Sequence, residues 1–285
     1  MKGYYHISSH GLEKNDIFKC DADFVLGMND VAICVLGYDV IILCFCLMSN
    51  HFHFVLYGTL EECRLFSEEY KRRCGIRMRR GGGEVKGLKS LEIQIDFVEG
   101  KEYLENVIAY ILRNPMAAGI RVVPYNYRWS TIHLYFSNIN AQVGKRLNDM
   151  SERKRFRLLK SWKPVPDNYC VDENGMILPG CYVDDSKVEQ IFGSPARFMY
   201  MLAKKIENEV ELCMGVTNKF AMTDREIASQ MKALLLEEFG VSSIELLSAE
   251  QRVRLCLLLK RNFMAGVKQV ARLTRLPVDV VQKII

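Results

Sequence analysis

The chain has 285 residues, of which 49% are hydrophobic and 26% charged, with a formal net charge of +5. This is the composition of a folded protein, and its length allows two domains of ordinary size. The first sixteen residues are polar and no run of 18 apolar residues occurs, so we expect neither a secretory signal nor a membrane span. With no Cys-x-x-Cys pair among the ten cysteines, a cytoplasmic protein with reduced thiols is expected.

The first half of the chain predicts a regular alternation of strands and helices. Strands are expected at residues 4–8, 40–46, 51–57 and 91–98, and helices at 21–36, 60–80 and 101–114. The order β-α-β-β-α-β followed by one more helix predicts an α+β fold. Its core would be a ferredoxin-like antiparallel sheet with helices on one face.

The pattern changes near residue 137. Residues 138–190 are rich in turn signals and show little periodicity, whereas the chain from residue 195 onward is helical with no convincing strand. Helices are expected at 195–215, 223–239 and 247–262, followed by a closing pair. The predicted domains are therefore a catalytic domain at 1–137, a connector at 138–190 and an all-α domain at 191–285.

The last helices, residues 263–285, fit a helix-turn-helix. A helix at 267–273 would carry the small residue Ala271 that lets the pair close, and Pro277 would begin the second helix, with Val281 as its core contact. The usual turn glycine is replaced by Arg275. A plain helical hairpin is an equally good interpretation of the pattern. In the helix-turn-helix interpretation, DNA would be contacted by Arg272, Arg275 and Lys283.

Two histidines, His51 and His53, lie on one predicted strand. Residues i and i+2 point to the same face, so both imidazoles project away from the apolar face of Phe52 and Phe54. They are either coincidental neighbours on a half-exposed strand or two ligands of one metal ion. A histidine-triad hydrolase would need a third histidine where this chain has Val55, and the His-Glu-x-x-His helix of zinc proteases is absent. The arrangement that remains is that of a metal-dependent nuclease.

The helix at 101–114 contributes a tyrosine and an amide. Tyr110 and Asn114 are one turn apart, and Asn114 precedes Pro115, where the helix is expected to end. An amide oxygen is a suitable third ligand for a hard divalent ion, and a metal-bound phosphate is a suitable target for a phenol. The alternative for Tyr110 is a tyrosine at the edge of the core. Tyr103 would lie about 16 Å from Asn114 along the helix, and Tyr125 lies in a loop.

A basic stripe occupies residues 64–90, where nine Lys and Arg residues face three Glu residues, a net charge of +6. Together with a glycine-rich loop, it suits a phosphate backbone, although most charge runs are solvated helix faces. The predicted DNA contacts in this stripe are Lys71, Arg72, Arg73, Arg77, Arg79, Arg80, Lys86 and Lys89.

The combined motifs resemble a known family. The segments "YYHISSHG", "MSNHFHFVLYG", "YILRNPMAAGI" and "YRWSTIHLY" are similar to those of single-tyrosine transposases of the HUH superfamily, in the branch of the REP-associated tyrosine transposases. The resemblance covers residues 1–137. It implies that His51 and His53 bind Mg²⁺ or Mn²⁺, with Asn114 as third ligand, and that Tyr110 is the nucleophile. It implies cleavage of single-stranded or hairpin DNA through a 5′-phosphotyrosine, and transfer of the strand to a new 3′-hydroxyl.

The resemblance has limits. The family often carries a basic residue in the first loop where this chain has His10, so that contact is not carried over. Some relatives are dimers that share active sites, and a homodimer is one expectation for this chain.

Two alternative functions remain open. One is a non-catalytic regulator that binds DNA with the same fold. The other is a metal-dependent nuclease that uses water, with Tyr110 merely structural.

Overall fold

A four-stranded antiparallel sheet forms the centre of the protein. The computed structural model describes residues 1–10, 16–80, 91–117, 124–137, 144–203, 224–263 and 265–284. The strands are β1 (Gly3–His10), β2 (Ile41–Leu47), β3 (Phe52–Gly58) and β4 (Glu92–Val98), in the order β2-β3-β1-β4. Every neighbouring pair is antiparallel, so the predicted ferredoxin-like α+β fold is confirmed.

The pairing of β1 with β3 decides which side chains share a face. Ser8 lies opposite His53, and His6 lies opposite Val55. Because residues directly opposite one another point to the same side of a sheet, these four residues lie on one face. Phe54, opposite Ile7, lies on the other.

Two helices cover the aromatic face, as predicted. They are α1 (Asp21–Val35) and α2 (Leu60–Arg80). Tyr70 of α2 is fully buried, and its ring packs edge-on against Phe52 and Phe54 with centroids 4.8 and 5.1 Å apart. This face is the main aromatic part of the core.

A third helix, α3 (Lys101–Ala117), lies against β2 and β3 on the opposite face, the one that carries His53, so helices cover both faces of the sheet and not the single face predicted. The predicted end at Asn114 was wrong, because α3 continues through Pro115 for a further turn. Pro115 removes one backbone hydrogen bond from the last turn of α3. Because α3 covers this face of the sheet, Val55 and His53 are both buried, at 0% and 5% exposure.

The segment "YRWSTIHLY" covers the outer edge of the sheet. Leu47 donates its backbone N–H to the carbonyl of Trp129 over 2.9 Å. The hydroxyl groups of Tyr127 and Tyr135 donate to the carbonyls of Leu47 and Leu43 over 2.7 and 2.6 Å. The unpaired backbone groups of an edge strand are thereby satisfied within the chain.

Residues 144–203 have regular structure and pack on the sheet region. They form two short strands, β5 (Lys145–Arg146) and β6 (Cys170–Val171), and three helices, α4 (Glu152–Leu159), α5 (Asp185–Phe192) and α6 (Pro195–Ala203). Buried Asn29 of α1 donates to the carbonyl of Gly175 and accepts from the N–H of Ile177, over 2.9 and 2.7 Å. The predicted domain boundaries at residues 137 and 190 remain predictions.

The C-terminal part is helical, as predicted. It consists of α7 (Asp224–Phe239), α8 (Ala249–Phe263), α9 (Val267–Thr274) and α10 (Val278–Ile284), of which the last three contact one another. The predicted continuation of α6 to residue 215 lies outside the described residues. Within the part of the chain that is described, no helix is long and apolar enough to cross a membrane.

Candidate active site

The two histidines of the His-x-His motif lie side by side beneath α3. His53 belongs to β3, and His51 immediately precedes that strand. Their rings are perpendicular, with centroids 5.3 Å apart. Burial lowers the pKa of His53 well below its usual value, and the neighbouring imidazoles lower it further. His53 is therefore neutral at physiological pH, the form in which histidine binds a metal.

His51 connects the strand to α3. Its Nε2 atom lies 3.2 Å from Oδ1 of Asn114, and its Nδ1 atom lies 2.7 Å from Oδ1 of Asn50. If Nδ1 carries the proton and donates to Asn50, the Nε2 lone pair faces a second acceptor, the oxygen of Asn114. Three changes resolve this repulsion: a second proton on the ring, a cation beside both atoms, or a turn of the amide that brings Nδ2 of Asn114 to face Nε2.

The separation of these two atoms suits a shared ion. Adjacent ligands of an octahedral cation bound at about 2.1 Å lie about 3.0 Å apart. The 3.2 Å between Nε2 of His51 and Oδ1 of Asn114 is close to that value. Asn114 is fully buried. Its Nδ2 atom has no hydrogen-bond partner among the described residues. The separation of Nε2 and Oδ1 therefore allows one small divalent ion to bind both.

Tyr110 lies one helical turn before Asn114 and faces the same group of imidazoles. Its ring packs edge-on to His53 with centroids 6.0 Å apart, and it is 6% exposed. The hydroxyl of Tyr125, the tyrosine in the following loop, instead lies 3.5 Å from Sδ of Met199. The sheet and α3 thus bring together the four predicted residues His51, His53, Tyr110 and Asn114.

A third histidine belongs to the same group and was missed by the sequence analysis. His6 of β1 is 2% exposed, and its Nε2 atom lies 3.1 Å from Nδ1 of His53. The two rings are nearly parallel and meet through these nitrogens, and Tyr110 packs edge-on to His6 as well. Burial lowers the pKa of His6 to about 4. The signal was present in "YYHISSH", where His6 and Ser8 alternate along a strand, but only the pairing of β1 with β3 shows that they meet His53.

The protein side chains by themselves do not complete a metal centre. Among the described residues, no group of three or more His, Cys, Asp or Glu side chains is arranged to hold a metal ion. An ion at this position would depend on the amide of Asn114 and on oxygen atoms from water or a bound phosphate. Divalent magnesium and manganese commonly bind in this way in enzymes that act on phosphates.

Two arginines of the basic stripe of α2 have a partner within the chain. Arg73 and Arg77 point inward, and both guanidinium groups bind the carboxylate of Asp30 on α1. Their side chains are only 11% and 9% exposed. These two arginines join α1 to α2, so their contact with DNA, which stays a prediction, would compete with Asp30.

The other predicted contacts of the stripe have different surroundings. Arg72 is exposed and paired with Glu69 over 2.6 Å, and exposed Arg79 bonds the carbonyl of Gly75 over 3.3 Å. The ammonium of Lys71 bonds the carbonyl of Leu91. Lys86 and Lys89 lie outside the described residues, as does the side chain of Arg80. Since α2 packs on the aromatic face, the stripe lies across the sheet from Tyr110.

The closing helices bury the two residues that were predicted to lie between them. Ala271 and Val281 are buried, at 5% and 0% exposure, and Arg275 adopts a left-handed conformation with φ of 56° in the turn. Arg272 binds Asp224 through two hydrogen bonds of 2.6 and 3.1 Å, and Arg275 is paired with Glu245. Lys283 is exposed.

Comparison with known proteins adds one similarity of fold. No protein-family model matches the chain, and no curated protein matches it in sequence. A solved structure of a REP-associated tyrosine transposase bound to a REP hairpin is similar, with a TM-score of 0.35 and 12% sequence identity. The similarity covers 46% of this chain and 78% of that one.

Proposed function

We propose that the chain cuts and rejoins single-stranded DNA with Tyr110 as nucleophile. The observation that carries this proposal is the geometry around α3. Tyr110 and Asn114 project from one side of α3 onto His51 and His53. Nε2 of His51 and Oδ1 of Asn114 are as far apart as two neighbouring ligands of one octahedral ion.

Each residue of the group has a part in this reaction. The imidazoles of His51 and His53 and the amide oxygen of Asn114 would hold Mg²⁺ or Mn²⁺. When bound, the ion supplies charge stabilisation to a phosphate and orients it for in-line attack. Tyr110 on the rigid α3 helix is positioned beside that phosphate, since its ring already packs against His53.

The chemical step exchanges one phosphodiester for another. The oxygen of Tyr110 attacks phosphorus, its proton is released, and the bond from phosphorus to the 3′ oxygen breaks. The 3′ oxygen takes up a proton, and the 5′ phosphate remains on Tyr110. Attack by a 3′-hydroxyl of another strand reverses these steps and joins that strand to the phosphate. No external energy source is needed because the number of phosphate ester bonds is conserved.

The experiment that tests this proposal is formation of a covalent protein–DNA adduct on hairpin-bearing single strands with Mn²⁺. We expect an adduct with the wild-type chain and none with Tyr110→Phe. Tyr103→Phe, on the same helix, is the matched control and should react like the wild type. Cleavage that survives Tyr110→Phe without an adduct would favour a nuclease that uses water.

A non-catalytic DNA-binding protein is the second candidate, and the burial of the site favours it. Tyr110 is 6% exposed and Asn114 is fully buried, so DNA must reach a largely enclosed group. This candidate predicts hairpin binding that is unaffected by His51→Ala or His53→Ala, and no cleavage with any metal.

We also propose that α9 and α10 bind double-stranded DNA, such as the stem of a hairpin. Residues 251–285 contain eight Lys and Arg residues and one acidic residue, Asp279, a net charge of +7. The ion pairs that hold Arg272 and Arg275 are partly exposed, so a phosphate can replace their partners at little cost.

Binding of hairpin DNA at several salt concentrations tests the role of these helices. Lys283→Gln should weaken binding and reduce the slope of log affinity against log salt by about 1. Lys232→Gln removes an exposed lysine of α7 and should leave both unchanged. Equal behaviour of the two variants would contradict this role. The expected homodimer remains a prediction.

A further inference from the structure

The strand β1 contributes a residue that the proposed chemistry has not used. His6 lies on a central strand, between β3 and β4, and is 2% exposed. Its Nε2 atom is 3.1 Å from Nδ1 of His53, and the two rings are parallel to within 14° with centroids 5.3 Å apart. The two rings therefore lie side by side in nearly the same plane, and both are buried in a close-packed region that restricts their rotation.

A hydrogen bond between two imidazoles requires that one ring donates and the other accepts. Nδ1 and Nε2 lie on opposite sides of a histidine ring, so a bond from Nδ1 to His6 directs Nε2 of His53 away from His6. If His53 donates, Nε2 carries a lone pair that can bind a cation. If His53 accepts, Nε2 carries the proton and cannot bind one.

His51 shows the same pattern with a different partner. Its Nδ1 atom lies 2.7 Å from Oδ1 of Asn50, an atom that can only accept, so a neutral His51 that donates over this shorter of its two contacts carries its proton on Nδ1. Its Nε2 atom then faces the oxygen of Asn114. In both His51 and His53, the protein contacts Nδ1, and Nε2 points away from that partner.

We infer that His6 is a positioning residue that accepts a hydrogen bond from Nδ1 of His53 and so keeps the Nε2 lone pair of His53 for a divalent cation. This inference rests on the proposed function and deepens it. Partners behind a metal-binding histidine fix its tautomer and orientation, and losing one commonly costs 10- to 100-fold in metal affinity. His6 acts through His53 and need not touch the DNA.

The test uses two variants of similar volume. His6→Gln offers an amide oxygen that can accept from Nδ1 of His53, whereas His6→Leu offers no acceptor. His133→Gln removes a partly buried imidazole elsewhere in the chain and is the matched control. Long-range ¹H–¹⁵N spectra of the full-length, metal-free protein report which nitrogen of His53 is protonated. Titration with Mn²⁺ reports the metal affinity.

We expect His53 to be protonated on Nδ1 in the wild type, in His6→Gln and in the control. In His6→Leu the proton should shift toward Nε2, and the Mn²⁺ affinity should fall by about 10- to 100-fold. A wild-type His53 protonated on Nε2, or identical spectra and affinities for His6→Leu and His6→Gln, would overturn the inference. Failure of the wild type to bind Mn²⁺ would contradict the proposed metal site, and the metal-free spectra would still decide the role of His6.

Discussion

Asn114 occupies the position on which the proposed chemistry most depends. It is fully buried, its oxygen faces Nε2 of His51 at 3.2 Å, and it shares one side of α3 with Tyr110. An asparagine kept only for packing would be expected to satisfy both ends of its amide, because buried polar groups are normally hydrogen-bonded. Its Nδ2 atom has no partner among the described residues, and the contact with Nε2 of His51 is the polar contact that the structure gives this amide.

The identity of this side chain should control metal affinity. Asn114→Leu removes the oxygen ligand and should lower the affinity for Mn²⁺ by about tenfold or more, whereas Asn114→Asp supplies a carboxylate and should preserve or raise it. Calorimetric titration with Mn²⁺ measures both. Asn106→Leu, two turns earlier on α3, is the control and should bind like the wild type. Equal affinity of Asn114→Leu and the wild type would show that the amide is not a ligand.

At the scale of elements, a buried charge cluster joins the two helices of the aromatic face. Asp30 of α1 is 8% exposed and accepts hydrogen bonds from Arg73 and Arg77 of α2. Burial raises the pKa of Asp30 even though both arginines oppose this. One carboxylate thus pairs with two guanidinium groups that are largely out of water. Its loss would remove this counter-charge from Arg77, whereas Arg73 would keep Glu69 at 3.3 Å.

Removal of that carboxylate should destabilise the fold strongly. We expect Asp30→Asn to lower the free energy of unfolding by about 3–5 kcal/mol, the usual cost of leaving a buried charge uncompensated. Urea denaturation measures this change. The control is Glu61→Gln, which removes an exposed partner of Arg64 and should leave stability unchanged. A loss as small as that of the control would mean that Asp30 does not join α1 to α2.

The elements and the local pairs could be predicted from the sequence because they depend on near neighbours. The spacing of His51 from His53 and of Tyr110 from Asn114 determines their shared sides without reference to the rest of the chain. The roles of His6 and Arg73 could not be predicted in this way. His6 acquires its role from the register of β1 against β3, and Arg73 from the side of α2 that faces α1. Both depend on contacts distant in sequence.

At the scale of the whole molecule, positive charge and the candidate site lie in different places. The stripe of α2 lies across the sheet from Tyr110, and two of its arginines are bound to Asp30. The more concentrated charge is the +7 of residues 251–285. In the proposed function, the closing helices therefore make the stronger electrostatic contact with DNA, and the sheet supplies the chemistry.

The stability of the metal-free protein should depend on pH through its buried histidines. Burial lowers the pKa values of His6, His53 and His133 below the 6.5 of an exposed imidazole. Below that value the unfolded chain binds protons that the folded chain does not, so stability falls as the pH falls. The full contribution is present above pH 6.5, and for His6 it is lost by about pH 4.

Urea denaturation in the presence of a chelator measures this effect. Between about pH 7 and pH 5.5, each imidazole that stays neutral should cost about 1 kcal/mol of stability. His133→Gln should reduce the dependence by removing one of the three contributions. Stability that does not change, or that increases toward pH 5.5, would contradict neutral buried imidazoles.

The central claim, that Tyr110 is the nucleophile, is tested most directly by locating the covalent bond. Wild-type protein would be reacted with a hairpin-bearing single strand and Mn²⁺, digested with protease and nuclease, and analysed by mass spectrometry. The account predicts a nucleotide attached through its 5′ phosphate to the peptide that contains Tyr110, with fragment ions that place it on that tyrosine. A nucleotide on Tyr103, Tyr125 or any other residue would contradict it.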